Sequence, residues 1–211
     1  MAIIKSGAST DQLTVDVTSK AARATLYDSA GRELSTQGKQ TFMIASTFTP
    51  AATPTDLVII EGSATKTIRI VRIKIITTNT AAGSQQFFLI KRSTADTTGT
   101  FVSAGTPVPL DSTNAAATVN RAGHFTANPG ALGTAVGTMN IIRAASPVAI
   151  PATFAGIVDE AGYDLLDHYV NSQLDQLVTL RGVAQTLAIN FNGAALVAGQ
   201  THAYTIVWVE E

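Results

Sequence analysis

The chain has 211 residues, 14 Lys plus Arg against 15 Asp plus Glu, and no cysteine. Its formal net charge of −1 gives no support to non-specific nucleic-acid binding, which needs a clustered positive excess, and the missing cysteine excludes disulfides, thiolate metal sites and thiol catalysis. Hydrophobic residues make up 45% and charged residues only 14%, well under the roughly 25% usual for soluble proteins, so the surface must be built from Thr, Ser, Ala, Asn, Gln and Gly, a composition suited to packing against further copies of the chain.

In chain order, "MAIIKSGAST" (1–10) lacks the apolar run of a signal peptide, and no segment approaches the ~20 apolar residues of a membrane span. "LTVDVT" (13–18) and "ARATLYD" (22–28) alternate like short strands, with a turn on Gly31. With so few large apolar groups, residues 1–40 form an arm and linker, and residues 41–211 a separate β domain. From Phe42 the chain reads as strand, turn, strand: 41–48, 56–62, 66–79, 81–93, 99–111, 138–144, 176–182, 185–193 and 202–210. Pro107 and Pro109 suit a sheet edge. Many short strands between Gly, Pro, Asn and Thr turns predict an all-β fold, an antiparallel jelly-roll-like sandwich with a short N-terminal β arm.

Three segments depart from simple alternation. "KTIRIVRIKIITTN" (66–79) places Ile68 and Ile70 on one face, then shifts phase so that Val71, Ile73 and Ile75 are the apolar set. A β-bulge at Ile70–Val71 accounts for the shift, with Arg69, Arg72 and Lys74 at a solvent or subunit edge. "DEAGYDLLDHYVNSQLDQL" (159–177) spaces Leu166, Tyr169, Val170, Leu174 and Leu177 as a helix would, while Gly162 weakens one. A short helix or an ordered loop is expected there. "NPGALGTAVG" (128–137) reads as a loop without the lysine of a phosphate loop.

Candidate chemistry is sparse. His124, His168 and His202 stand far apart with no partner at ligand spacing. Glu160, Asp164 and Asp167, near His168, would supply oxygen ligands, but their spacing is not a calcium loop, and a solvated acidic turn is the expectation. There is no G-x-S-x-G elbow. No catalytic residue, cofactor or metal is assigned, and the chain is not expected to be an enzyme.

The last strand is more informative. In "HAYTIVWVE" (202–210), Tyr204, Ile206 and Trp208 share one face, and Val207 and Val209 the other. Both faces are nearly apolar. A sandwich strand needs one core face, so the second implies a cover, such as a subunit interface. Tyr204, Ile206, Val207, Trp208 and Val209 are the expected core or oligomer packing residues.

Residues 3–33 resemble the N-terminal region of many tailed-bacteriophage virion proteins, through Asp11, Leu13, Val15, Asp16, Ser19, Lys20, Ala21, Arg23, Thr25, Leu26, Tyr27, Asp28 and Gly31. Residues 177–211 are similar to the close of phage β-sandwich proteins, through Leu180-Arg181-Gly182, Asn190, Asn192-Gly193 and Trp208. The resemblance implies a capsid-decoration or head-fibre-like virion protein assembled in the host cytoplasm. Its arm would dock on a major capsid or tail protein through Leu13, Val15, Leu26 and Tyr27, and its sandwich would assemble as a homo-oligomer, a trimer first. The alternative is a tail-fibre or tail-tip module that binds a host receptor or glycan through exposed groups such as His124, Phe125, Tyr163, His168 and Tyr169.

Overall fold

The computed structural model describes residues 39–78, 83–146, 162–167 and 177–211, with two short backbone stretches nearer the N-terminus. The chain divides into two compact units, Met1–Lys39 and Gln40–Glu211. In the first, β1 (Thr14–Val15) pairs antiparallel with β2 (Ala22–Arg23), Thr14 opposite Arg23.

The second unit is all-β among the described residues. Its strands are β3 (Gln40–Phe48), β4 (Asp56–Glu61), β5 (Thr67–Thr78), β6 (Gly83–Arg92), β7 (Thr100–Ser103), β8 (Val108–Pro109), β9 (Ala122–Ala127), β10 (Ala135–Ser146), β11 (Gly162–Asp167), β12 (Val178–Arg181), β13 (Thr186–Asn190) and β14 (Thr201–Glu210). They form two antiparallel sheets, β11-β5-β14-β3-β8, with β12 also on β5, and β10-β6-β13-β4-β9-β7. Period-two patterning sets the faces. Phe42, Ile44 and Phe48 of β3 and Tyr204, Ile206 and Trp208 of β14 meet Leu57, Ile60, Phe87, Leu89 and Leu187 of the other sheet in one continuous core. Phe42 and Trp208 stack with ring centroids 5.9 Å apart.

The phase shift in β5 is a bulge at Val71. Val207 of β14 pairs with Arg72 and Trp208 with Ile70, so Val71 has no opposite residue. The extra residue lets Ile68 and Ile70 before it, and Ile73 and Ile75 after it, all reach the core. The same point divides the other edge of β5, where β12 pairs with 67–70 and β11 with 72–76. The nearby cations lie between strands: Arg69 Nε donates to Glu211 Oε2 at 2.6 Å, and Arg72 Nη2 lies 2.9 Å from Asp164 Oδ1. β8, with Pro109, ends its sheet.

Three expectations need correction. The described part of 159–177 is neither helix nor loop: Gly162–Asp167 is strand β11, and Leu165 is buried. The open edge of β5 offers ladder hydrogen bonds and a core position, and this tertiary gain outweighs local helical spacing. His168, Tyr169, Val170 and Leu174 lie outside the described residues. The expected loop 128–137 stops early, since Ala135–Gly137 opens β10. Strand β9 was not expected at all. Its Gly123 breaks the apolar pattern because β7 runs against it: a Cβ there would sit 2.2 Å from Val102 O.

Candidate functional site

The sandwich interior brings together groups that are distant in sequence. Phe48 of β3 stacks on His124 of β9 (centroids 4.7 Å apart) and lies 5.5 Å from His202 and 5.8 Å from Tyr204 of β14. Strand alternation aims all four side chains inward, and the two sheets close over them. His124 Nδ1 lies 3.2 Å from the Tyr204 hydroxyl, and His202 Nδ1 lies 2.9 Å from Thr77 Oγ1. Phe87 and Phe191 set their edges against the His202 ring, at 5.7 and 5.1 Å. The His202 Nε2 atom is buried with no hydrogen-bond partner. Burial holds His202 down at about 4 and lowers His124 as well, so both imidazoles are neutral near pH 7. Burial also raises the Tyr204 phenol. Neutral imidazoles walled in by phenyl rings act here as flat core side chains carrying one internal hydrogen bond each.

A second group of polar side chains lies against the strands of the other sheet. Arg92 of β6 grips Asp56 of β4 through two nitrogens, with Nη2–Oδ1 at 2.8 Å, and Asn190 of β13 donates to the same carboxylate. Arg92 Nη1 donates to Gly133 O at 2.6 Å, while Gly133 N donates to Asp96 Oδ1 at 2.8 Å. Gly133 is required there, because a Cβ would sit 1.8 Å from Thr94 O. Asp96 is 3% exposed and its Oδ2 has no partner. Burial, then the adjacent Asp56 carboxylate, push it up to about 6. A proton on Asp96 allows it to hydrogen-bond to Asp56 and removes one of two buried negative charges that share Arg92.

Two further ties complete the frame. Arg121 donates to the buried Glu61 and to Asp96 O, and its guanidinium lies 5.2 Å from the Phe101 ring centre and 5.8 Å from that of Phe125. Glu210 accepts from Thr118 N at 2.9 Å, Thr118 Oγ1 at 2.9 Å and Trp208 Nε1 at 3.1 Å. Together these contacts fasten the connections 93–98, 111–121 and 128–134 to the sheets. The chemistry is charge-assisted hydrogen bonding between secondary elements. None of the acidic partners was singled out by sequence reading, because Asp56, Glu61 and Glu210 sit at strand ends where carboxylates are normally solvated. The one available signal was an acidic residue bounding each apolar run.

Tyr204, Ile206 and Trp208 all face the core, while Val207 is buried and Val209 half-buried on the opposite face of β14. Val15 lies in β1; Leu13, Leu26 and Tyr27 are outside the described residues. Of the group expected to be exposed for receptor binding, the three described members are not exposed: His124 and Phe125 are buried on β9 and Tyr163 is half-buried on β11, while His168 and Tyr169 lie outside the described residues. The sheet ladder, which turns these side chains to the core and to Phe101, is the reason. Asp164 and Asp167 face Arg72, at 2.9 and 4.0 Å, while Glu160 and His168 lie outside the described residues. Among the described residues no cluster of three His, Asp or Glu side chains is arranged to hold a metal ion, and no helix is long and apolar enough to cross a membrane.

Compared with family models, curated proteins and solved structures, the chain matches none.

Proposed function

We propose that this chain is a non-enzymatic structural component of a tailed-bacteriophage virion, of the capsid-decoration or head-fibre-like kind. The N-terminal unit docks on a major capsid or tail protein, and the β-sandwich assembles with further copies, a trimer being the first expectation. The observation that carries this reading is the division of the chain into a small N-terminal unit, Met1–Lys39, and a sandwich, Gln40–Glu211, with its own continuous core. An attachment segment and a self-sufficient head are the two parts such a role needs. The buried polar groups support it further, because each network described above ties one element of the sandwich to another.

The sandwich is taken to be a jelly roll. Strands β3, β14, β5 and β11 face β4, β13, β6 and β10, and the connections β3–β4, β5–β6, β10–β11 and β13–β14 each pass from one sheet to the other. Two nested Greek keys produce this order.

The test is a chain lacking residues 1–33, produced during infection beside the full-length protein. The truncated protein is expected to keep its thermal transition and to be missing from purified particles. Incorporation at the full-length level would overturn the docking role. Immunogold label on intact particles separates the two host surfaces: label spread over the head identifies a decoration protein, and label confined to the tail tip transfers the protein to host recognition.

A further inference from the structure

The described residues expose eight large apolar side chains, and seven of them fall at two opposite edges of the sandwich. At one edge, the terminal strand β8 and its continuation carry Val108 and Leu110, each 55% exposed, and β7, which ends the other sheet, carries Val102. At the other, Val136, Met139 and Ile141 stand exposed along β10, with Leu132 just before it. The two edges are on opposite sides because β10 lies by β11, with Asn140 Nδ2 donating to Leu165 O at 2.8 Å, while β8 and β7 end their sheets at the far side.

β10 is a 12-residue edge strand that pairs, among the described residues, with β6 alone. A long edge strand with an apolar surface is an association site unless it is short, kinked or charged. β10 is not short. Two bulges, between Ala135 and Gly137 and between Thr138 and Asn140, interrupt its ladder and leave Val136 and Met139 without partners on β6, so its first half offers side-chain packing in place of a further strand ladder. Its charge is limited: Arg143 is the only Lys, Arg, Asp or Glu between Ala122 and Ser146. Arg143 is exposed, and among the described residues its Nη2 reaches Ser84 Oγ, at 3.5 Å. The opposite edge has the matching composition. Asp111 is the only charged residue between Thr97 and Asn120. It is exposed directly after Leu110, its carboxylate held by Thr113 N at 2.9 Å and Thr113 Oγ1 at 2.7 Å.

We infer that the β10 edge of one copy packs against the β8–β7 edge of the next, so that copies of this chain join through two unlike surfaces. Apolar groups then cover apolar groups, and one cation meets one anion. Pairing like edges would set Arg143 against Arg143 or Asp111 against Asp111, and like charges at a contact disfavour it. Unlike edges repeat head to tail, and such a contact closes into a ring when the rotation permits. Pro109 removes a ladder donor at β8, which makes the contact one of side-chain packing at that edge. This inference rests on the oligomeric part of the proposed function and is independent of the virion role.

The experiment uses full-length protein in sedimentation velocity over a concentration series, with three samples: Ile141→Asp, Val108→Lys and their equimolar mixture. Both positions are exposed, and unchanged circular dichroism and melting curves establish that each variant folds. Wild type is expected to associate. Each variant alone is expected to lose self-association by roughly tenfold or more, as removal of a central apolar anchor does. The mixture is expected to form one-to-one dimers, because each variant retains the edge the other has lost. Charge reversal supplies the second measurement: Arg143→Glu and Asp111→Arg each weaken association, and the two together in one chain restore it. A wild type that stays monomeric, a single variant that still associates as wild type, or a mixture that remains monomeric overturns the contact. A protein that associates in this manner yet never enters particles overturns the virion reading and leaves the edge contact standing. A monomer that enters particles does the reverse.

Discussion

His202 Nδ1 lies 2.9 Å from Thr77 Oγ1 across the β14–β5 ladder, where the two residues are direct partners. The ring is fully buried, and its other nitrogen faces no polar group. Charging it puts an N–H on both nitrogens, and the core supplies no acceptor for the one on Nε2. Its folded pKa of about 4 lies below the ordinary 6.5. The unfolded chain therefore binds the extra proton first, and stability falls as pH drops from about 6.5 toward 4. The contribution at neutral pH is on the order of 3 kcal/mol. His202→Gln is expected to flatten that part of the melting temperature against pH profile, whatever its effect at neutral pH. An unchanged slope would show that the ring does not control acid unfolding.

Asp96 acts with the opposite sign. Its carboxyl is pushed up to about 6 from 3.8, so between these values the folded protein holds a proton that the unfolded chain releases. Stability from this group is greatest at low pH and is lost as pH rises through 6. The two groups thus offset each other across the mildly acidic range. Asp96→Asn keeps the acceptor for Gly133 N and removes the titration. It is expected to raise stability at pH 7 relative to wild type and to steepen the loss on acidification. Melting curves from pH 4 to pH 8 read both effects, and identical profiles for the two proteins would rule out a buried titrating Asp96.

The Arg92–Asp56 pair connects β6 with β4 although the two strands are not neighbours; β13 runs between them and contributes Asn190. Arg92→Met leaves a buried carboxylate without its cation and is expected to cost about 3–5 kcal/mol in urea unfolding. Arg92→Met combined with Asp56→Leu removes both charges and is expected to recover part of that loss. A double variant as unstable as the sum of its two single changes would show that the residues are not coupled.

Val71 is the unpaired residue of β5. Deleting it removes the bulge and leaves Ile68, Ile70, Ile73 and Ile75 on one face of a regular ladder. The deletion is expected to fold and to cost no more than about 2 kcal/mol, through loss of the local bend. Inserting one alanine between Ile73 and Lys74 instead turns Ile75 away from the core, and is expected to cost at least about 3 kcal/mol, the scale of removing a buried isoleucine. Val71→Ala, which keeps the bulge and trims a half-buried side chain, is expected to cost about 1 kcal/mol or less. Equal destabilisation by the insertion and the deletion in urea unfolding would mean that side-chain phase does not hold the β5 isoleucines in the core.

The strand content, the bulge in β5 and the edge position of the proline strand were all legible from alternation and punctuation along the chain. Those signals are local: a period of two assigns a strand, and a break in the period assigns a bulge. What failed were segments whose structure depends on a distant partner. Gly162–Asp167 becomes a strand because β5 has an edge to offer it, and Gly123 sits in a strand because β7 leaves no room for a Cβ.

The candidate site divides in the same way. The sequence by itself determined that Tyr204, Ile206 and Trp208 share one face of the last strand, because neighbouring side chains in a strand must alternate. Only the tertiary structure decided that His124 and His202 meet around Phe48, that Asp96 lacks a second partner, and that the exposed apolar residues collect at two opposite edges. Each of these depends on which strands lie side by side and on how two sheets close. A local period carries no information about strand neighbours tens of residues away in the chain.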